Sequence, residues 1–222
     1  METKEVEGKI GDYWNEYASK FDAEHDTEDL ELWSRALEGC LGADGPSMVL
    51  DLGTGTGFLV NLAAKQGHFC AGLDLAPKML EIAVEKTRAM NLKAVYLKGS
   101  VLDLPFAENS FDFIVNARLL WTLVEPQKTA AHWVRFLRPG GKLVCFNRYK
   151  EGLGMCGGQE VYGQKGMDEA ITLAHASSAD LIALFQGCGL AEVEFRRLPD
   201  LTKPDRREGL DEWHALMGRK PL

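Results

Sequence analysis

What this chain lacks narrows its class before any motif is considered. No window of its 222 residues is long and apolar enough to cross a bilayer, and Met1 is followed by acidic and polar residues rather than by a basic segment leading into an apolar run. A cytoplasmic protein with no membrane partner is the expectation. Positive charge is scarce: 25 lysines and arginines stand against 33 aspartates and glutamates, a net charge of -8. The resulting negative field repels phosphate backbones, so nucleic acid is not an expected partner. The five cysteines (Cys40, Cys70, Cys145, Cys156 and Cys188) are odd in number and scattered. They form no C-x-x-C pair and no Cys/His cluster with zinc spacing, which predicts reduced, mostly buried thiols and no metal site. Repeats and low-complexity tracts are also missing, and the length suits one globular domain with a full core.

What is present begins with helical periodicity. Tyr13, Trp14, Tyr17 and Phe21 recur at spacings of three and four along one face, and Leu30, Trp33, Leu37 and Leu41 repeat similarly before Gly42. Residues 1–45 therefore read as a helical cap. Beyond the turn-forming stretch 42–46, short apolar runs alternate with helix-period segments. Strands are predicted near 48–52, 69–73, 94–97, 111–115 and 142–146, with helices near 58–66, 77–90 and 127–137. This core, 46–149, is followed by a glycine-rich stretch, 150–176, which shows no clear period and is a candidate lid. A helix near 178–186, a strand near 192–197 and a last apolar strand near 213–217, expected at the sheet edge, complete the chain to 222. The fold class that follows is α/β: a Rossmann-like, doubly wound, seven-stranded and mostly parallel sheet under an N-terminal helical cap.

The run Val49-Leu50-Asp51-Leu52-Gly53-Thr54-Gly55-Thr56-Gly57 leaves a strand and opens a helix. Glycines there let the backbone turn sharply and approach a ligand, while free amides at the helix start favour polar or negative groups. Asp74, about twenty residues on at the end of the second strand, is placed to accept hydrogen bonds from ribose hydroxyls. Together they indicate an adenosine-containing ligand. The spacing is G-x-G-x-G rather than the G-x-G-x-x-G of dinucleotide sites, which favours a nucleoside without a diphosphate.

These residues resemble the class I S-adenosylmethionine-dependent methyltransferases, in particular the small-molecule group that includes quinone and sterol methylating enzymes. The likeness continues through Gly99-Ser100-Val101-Leu102-Asp103-Leu104-Pro105-Phe106, then residues 109–115, then Leu137-Arg138-Pro139-Gly140-Gly141-Lys142. The resemblance implies S-adenosyl-L-methionine as cofactor and S-adenosyl-L-homocysteine as product. It lays Asp51, Gly53, Thr54, Gly55 and Gly57 along the methionine part, Asp74 at the ribose, and Leu75 and Met79 against the adenine. Asn116 falls among the residues bordering the cofactor, and Tyr13, Tyr17 and Phe21 on the cap either cover the methionine end or only pack. One departure stands out: the family usually carries Asp at the position of Ser100, where it accepts from the adenine amino group. Ser100 with the backbone of Val101 is the preferred substitute, Asp103 the alternative.

For the acceptor side, the family's positions after the fourth strand are Asn116 to Trp121. The Pro-Pro-aromatic clamp of enzymes acting on exocyclic amines of nucleic-acid bases is absent, and the expected acceptor is a small molecule. Arg118 either grips an acceptor carboxylate or phosphate or pairs with a neighbouring acid. Trp121 either walls the acceptor pocket or packs beneath the cap, and Trp14 and Tyr149 complete the candidate acceptor wall. Because a sulfonium is already an activated donor, alignment and exclusion of water matter more than proton transfer. If a base is used, His25 beside the cap is the candidate. The alternatives are a binding module that keeps the nucleoside pocket without catalysis and a nicotinamide-dependent oxidoreductase. Monomer and homodimer are both compatible with the sequence.

Overall fold

The computed structural model describes residues 2–25, 28–42, 44–156, 162–201 and 212–222. Two helices come first, α1 (Thr3–His25) and α2 (Leu30–Leu41). The first is longer than the aromatic stripe alone predicts, because Val6 and Ile10 extend the same apolar face toward the N-terminus. Asp29 caps α2 by accepting from the amides of Glu31 and Leu32, and Gly42 ends it in the left-handed conformation at φ 59°.

The core then alternates: β1 (Met48–Leu52), α3 (Phe58–Lys65), β2 (Phe69–Asp74), α4 (Pro77–Ala89), β3 (Val95–Lys98), β4 (Phe111–Ala117), α5 (Pro126–Phe136) and β5 (Leu137–Arg148). A short helix α6 (Lys165–Asp168), α7 (Ser178–Gly187) and strands β6 (Ala191–Leu198) and β7 (Trp213–Arg219) complete it. The seven strands lie in the order β3-β2-β1-β4-β5-β7-β6, with β7 antiparallel to both of its neighbours and the rest parallel.

Three expectations change. The last strand is not an edge: β7 is inserted between β5 and β6, and every residue but Arg219 is buried. A strand covered on both faces carries a continuous apolar run, as Ala215-Leu216-Met217 does, whereas Glu192, Glu194 and Arg196 mark β6 as the solvated edge. Strand β5 also starts earlier, at Leu137, with a register shift where Phe111 and Phe113 face Leu137 and Lys142. Finally, the glycine-rich stretch is not wholly irregular. It includes α6, and its Tyr162, Met167, Ile171 and Ala174 pack on Val6 and Ile10 of α1; Gly157 and Gly158 lie outside the described residues.

Alternation along the strands splits the core into two layers. Leu50, Leu52, Ile114, Leu143 and Cys145 face Trp133, Leu181 and Phe185, while Val49, Val115, Val144 and Phe146 face Trp33, Leu37 and Leu59. Trp33, 1% exposed, meets Phe58, Phe146 and Trp213 edge to face and anchors α2 to the sheet. No helix among the described residues is long and apolar enough to cross a membrane.

Candidate functional site

A cavity of about 820 Å³, its mouth included, opens at the C-terminal ends of β1, β2 and β4 beneath α1. This is where a doubly wound sheet leaves a crevice between oppositely directed crossovers. Glu7, Ile10, Gly11, Trp14 and Phe21 line it from the helix, sharing one face at spacings of three, four and seven. Gly53, Gly55, Asp74, Leu75 and Met79 line the opposite side, Val101 and Leu102 one end, and Ala117 to Leu119 with Thr122 to Val124 the other.

The glycine loop turns because Gly53, Gly55 and Gly57 all hold positive φ, at 61°, 53° and 81°. Their roles differ. A methyl group on Gly55 would meet only Phe21 and Met79 at 3.9 and 4.0 Å, so this glycine faces the cavity. One on Gly57 would fall 2.6 Å from the Tyr96 hydroxyl and 3.0 Å from Ala83. Gly57 therefore serves packing of α3 against α4, and the structure does not bring it to the cavity.

Asp74 is fastened to that loop. Its Oδ2 accepts from the Gly55 amide at 2.8 Å and its Oδ1 from the Ala76 amide at 2.9 Å, leaving lone pairs on both oxygens toward the cavity. Burial raises its pKa, and those amide bonds pull it back. Behind the loop, Asp51 is 2% exposed; its Oδ2 accepts from the Thr54 hydroxyl at 2.7 Å and its Oδ1 has no partner. Burial foremost, with the nearby Asp74 charge adding, pushes it up to about 8 against the Thr54 hydrogen bond. Asp51 and Thr54 thus buckle the loop from behind rather than lining the cavity. Asn116, fully buried, donates to the Cys145 sulfur at 3.0 Å and also sits behind the wall.

The cap contributes through fewer residues than expected. Trp14 and Phe21 face the cavity, but Tyr13 and Tyr17 do not: one residue is a 100° step around the helix, and these two rings stack on each other beside Tyr162. Trp14 donates to the Tyr162 hydroxyl at 3.3 Å, and Trp121 packs at 6.1 Å from both, under the cap rather than in the wall. His25 lies behind Phe21, stacked at 4.1 Å, with its Nδ1 donating to the Phe21 carbonyl at 2.7 Å. Burial and then Arg118 lower its pKa, so it is neutral at physiological pH.

Arg118 lines the cavity in a positive-φ conformation, 62°, but its guanidinium is taken by Glu28, which also accepts from Trp33 Nε1 at 2.7 Å. Its Cζ lies 4.5 Å over the Trp213 ring. Burial lowers its pKa to about 10, with Glu28 opposing, and it stays charged. The neighbouring acid left open by the sequence is therefore Glu28, contributed by the segment between the cap helices. Tyr149 is not at the cavity: its hydroxyl donates to Glu151 and accepts from the Ser178 amide, and its ring meets Phe195 and His214. Ser100 stands just outside the wall; its Oγ accepts from the Leu102 amide at 2.9 Å and donates to the carboxylate of Glu7. Asp103 is exposed and does not line the cavity.

Sequence reasoning missed Glu7, Ile10, Gly11 and Leu102, and also Leu119, Thr122, Leu123 and Val124. Gly11, inside a helix and flanked by Ile10 and Trp14 on one face, was the legible hint: it faces Leu75, whose Cβ would lie 3.4 Å from a methyl group placed on this glycine.

The donor set fits S-adenosylmethionine. Gly55 leaves its cavity side open, a carboxylate held by backbone amides awaits hydroxyl donors, and Leu75, Met79, Val101 and Leu102 form an apolar slot for a flat base. The methyltransferase domain family matches residues 50–145. The demethylmenaquinone methyltransferase of Thermus thermophilus is 36% identical over 118 residues, covering 52% of this chain and 53% of that protein. The 18S rRNA (guanine-N(7))-methyltransferase of Schizosaccharomyces pombe is 33% identical over 99 residues, 45% of this chain and 36% of that one. The matched stretch spans about half the length of the relatives, 46% to 53% in the first three. Among solved structures, a Burkholderia thailandensis 1,6-didemethyltoxoflavin-N1-methyltransferase with bound 1,6-didemethyltoxoflavin and S-adenosylhomocysteine shares the fold at TM-score 0.73, with 19% identity and coverage of 100% and 92%. The 4+2 cyclase SpnF shares it at TM-score 0.74, with 16% identity and 97% coverage of both chains. The glycine loop and its amide-bound aspartate fall on one cavity and inside the matched stretch, so residues 50–145 are what this chain shares with the methyltransferase domain family.

Proposed function

We propose that this protein transfers a methyl group from S-adenosylmethionine to an apolar small-molecule acceptor by in-line displacement. The observation that carries the proposal is the asymmetry of the cavity. Its glycine loop and Asp74 are polar and preorganised, while the end formed by Ile10, Trp14, Leu119, Leu123 and Val124 is apolar apart from Thr122 and Arg118, whose guanidinium is paired with Glu28. When bound, S-adenosylmethionine supplies an activated methyl group on sulfur.

The chain's own residues do the rest. Asp74, held by the Gly55 and Ala76 amides, fixes the sugar and so sets the position of everything attached to it. The cap face of Trp14 and Phe21 covers the site and excludes water, which favours reaction with a bare nucleophile. Glu7, Asp74 and Arg118 are the only ionisable side chains lining the cavity among the described residues, and Arg118 is paired with Glu28. His25 stands behind Phe21. Alignment rather than general-base catalysis is therefore the mechanism this wall supports, and it suits acceptors whose nucleophile needs no deprotonation in the site.

The family resemblance to quinone methylating enzymes supports an apolar ring as acceptor. The likeness to an rRNA methyltransferase favours a nucleic-acid acceptor as second reading, against which stands the net charge of -8. Incubation with methyl-labelled S-adenosylmethionine, a panel of reduced quinones and substituted phenols, and a ribosomal RNA preparation separates these. Label in organic-soluble product supports the proposal; label only in RNA overturns it. Calorimetric binding of S-adenosylhomocysteine without labelling of any acceptor would leave a non-catalytic binding module, and binding of nicotinamide dinucleotide instead would point to an oxidoreductase.

A further inference from the structure

We infer that Glu7, reaching from the cap helix and oriented by Ser100, is the residue that selects an amino-substituted base in the cavity. The inference rests on the reading of the cavity as a site for an adenosyl ligand and adds the group that reads the base.

Helix α1 runs along the cavity with fixed landmarks. Phe21 lies beside Gly55 of the glycine loop, Gly11 faces the Leu75 side chain, and Glu7 meets Ser100. At 1.5 Å per residue, Glu7 is about 21 Å from Phe21 but only about 6 Å beyond Gly11. The apolar slot lies at this end, with Leu75 and Met79 on one side and Val101 and Leu102 on the other. A flat heteroaromatic ring whose sugar is held at Asp74 would enter it and present its far edge toward Glu7. Asp74 is committed to the sugar side by its loop contacts, and Arg118 lines the cavity together with residues 117–124. Glu7 is the remaining ionisable group in the wall.

The orientation of Glu7 is built in. The Leu102 amide donates to Ser100 Oγ at 2.9 Å, which turns the hydroxyl proton toward the Glu7 carboxylate. Ser100 thereby spends its proton on Glu7 and works as a positioning residue. One Glu7 oxygen accepts that proton, and the carboxylate keeps acceptor capacity for a ligand. An ionised carboxylate only accepts, so it favours a base edge carrying an N–H donor such as an exocyclic amine and disfavours one carrying a carbonyl oxygen. A carboxylate supplied from the cap also ties closure of α1 to recognition of the base.

The test compares S-adenosylhomocysteine with S-inosylhomocysteine, in which the amine is replaced by oxygen, using calorimetric titration. Wild-type protein should bind the adenosyl ligand at least about tenfold more tightly, the lower range for a hydrogen bond to a charged group. Glu7→Leu should bring the two affinities to within about threefold, and adding Ser100→Asp to that variant should restore the preference by returning a carboxylate from the strand side. A helix-docking role alone would weaken both ligands equally and leave the ratio unchanged, which would overturn the inference. Should Glu7→Leu fail to fold by circular dichroism, the wild-type ratio still decides, since equal affinities overturn it. Wild-type protein that binds neither ligand would remove the adenosyl reading itself, whereas binding of both without preference removes only the part assigned to Glu7.

Discussion

Replacing Asp51 by Asn should make the protein more stable at neutral pH, and by an amount that grows with pH. The wild-type carboxyl is 2% exposed, one of its oxygens has no partner, and burial together with the neighbouring Asp74 pushes its pKa up to about 8, from 3.8. A folded-state pKa above the unfolded one means that the native protein keeps a proton which the unfolded chain releases across the window from about pH 4 to pH 8. Stability from this group is therefore complete below the unfolded value and is lost as pH rises through the window. At 1.36 kcal/mol per pH unit, the group withdraws about 2 to 3 kcal/mol between pH 5 and pH 7. Asparagine has the shape of the protonated acid, still accepts from the Thr54 hydroxyl and cannot ionise. Urea unfolding of both proteins at pH 5, 6, 7 and 8 reads the difference directly. The variant's lead over the wild type should grow by about 2 to 3 kcal/mol between pH 5 and pH 7. Parallel stability profiles would refute the argument, since they would mean that Asp51 titrates alike in the folded and unfolded chains.

Asp74→Ala should weaken S-adenosylhomocysteine binding at least tenfold, about 1.4 kcal/mol, by calorimetric titration, because a carboxylate pinned by two amides is lost from the wall. Glu28→Gln should destabilise the fold by about 3 kcal/mol in thermal or urea unfolding, because Arg118 is left buried without a counter-charge. The double variant Glu28→Leu with Arg118→Leu should cost less than Glu28→Gln, and additive losses would contradict this account. Tyr149→Phe should leave S-adenosylhomocysteine affinity unchanged while lowering stability by about 1 kcal/mol for the lost bonds to Glu151 and Ser178. A clear loss of affinity would return Tyr149 to the site.

The local signals were strong where a residue's chemistry and its element coincide. The turn at Gly53 and Gly55 and the carboxylate at Asp74 follow short-range rules: positive φ favours glycine, and the exposed loop amide at Gly55 finds its acceptor on the adjacent strand tip. The strands were legible for the same reason, since apolar runs of five or six residues between turns allow few other outcomes. The Tyr13 and Tyr17 rings show where such rules stop. A spacing of three and four identifies a helix but not which side of it meets the ligand, and the docking of α1 on Leu75 and α6 turned Trp14 and Phe21 inward instead.

The order of residues alone thus determined the crevice at the strand tips, its glycine loop and the acid that faces it, because those depend on neighbours along one β-α-β unit. Tertiary packing decided what no local pattern encodes. It inserted β7 between β5 and β6, gave Arg118 to Glu28 ninety residues away, turned Gly57 into a packing residue beneath Tyr96, and brought Glu7 to Ser100 across ninety-three residues of chain. These pairings join surfaces distant in sequence, and their partners are set by which faces the whole core buries.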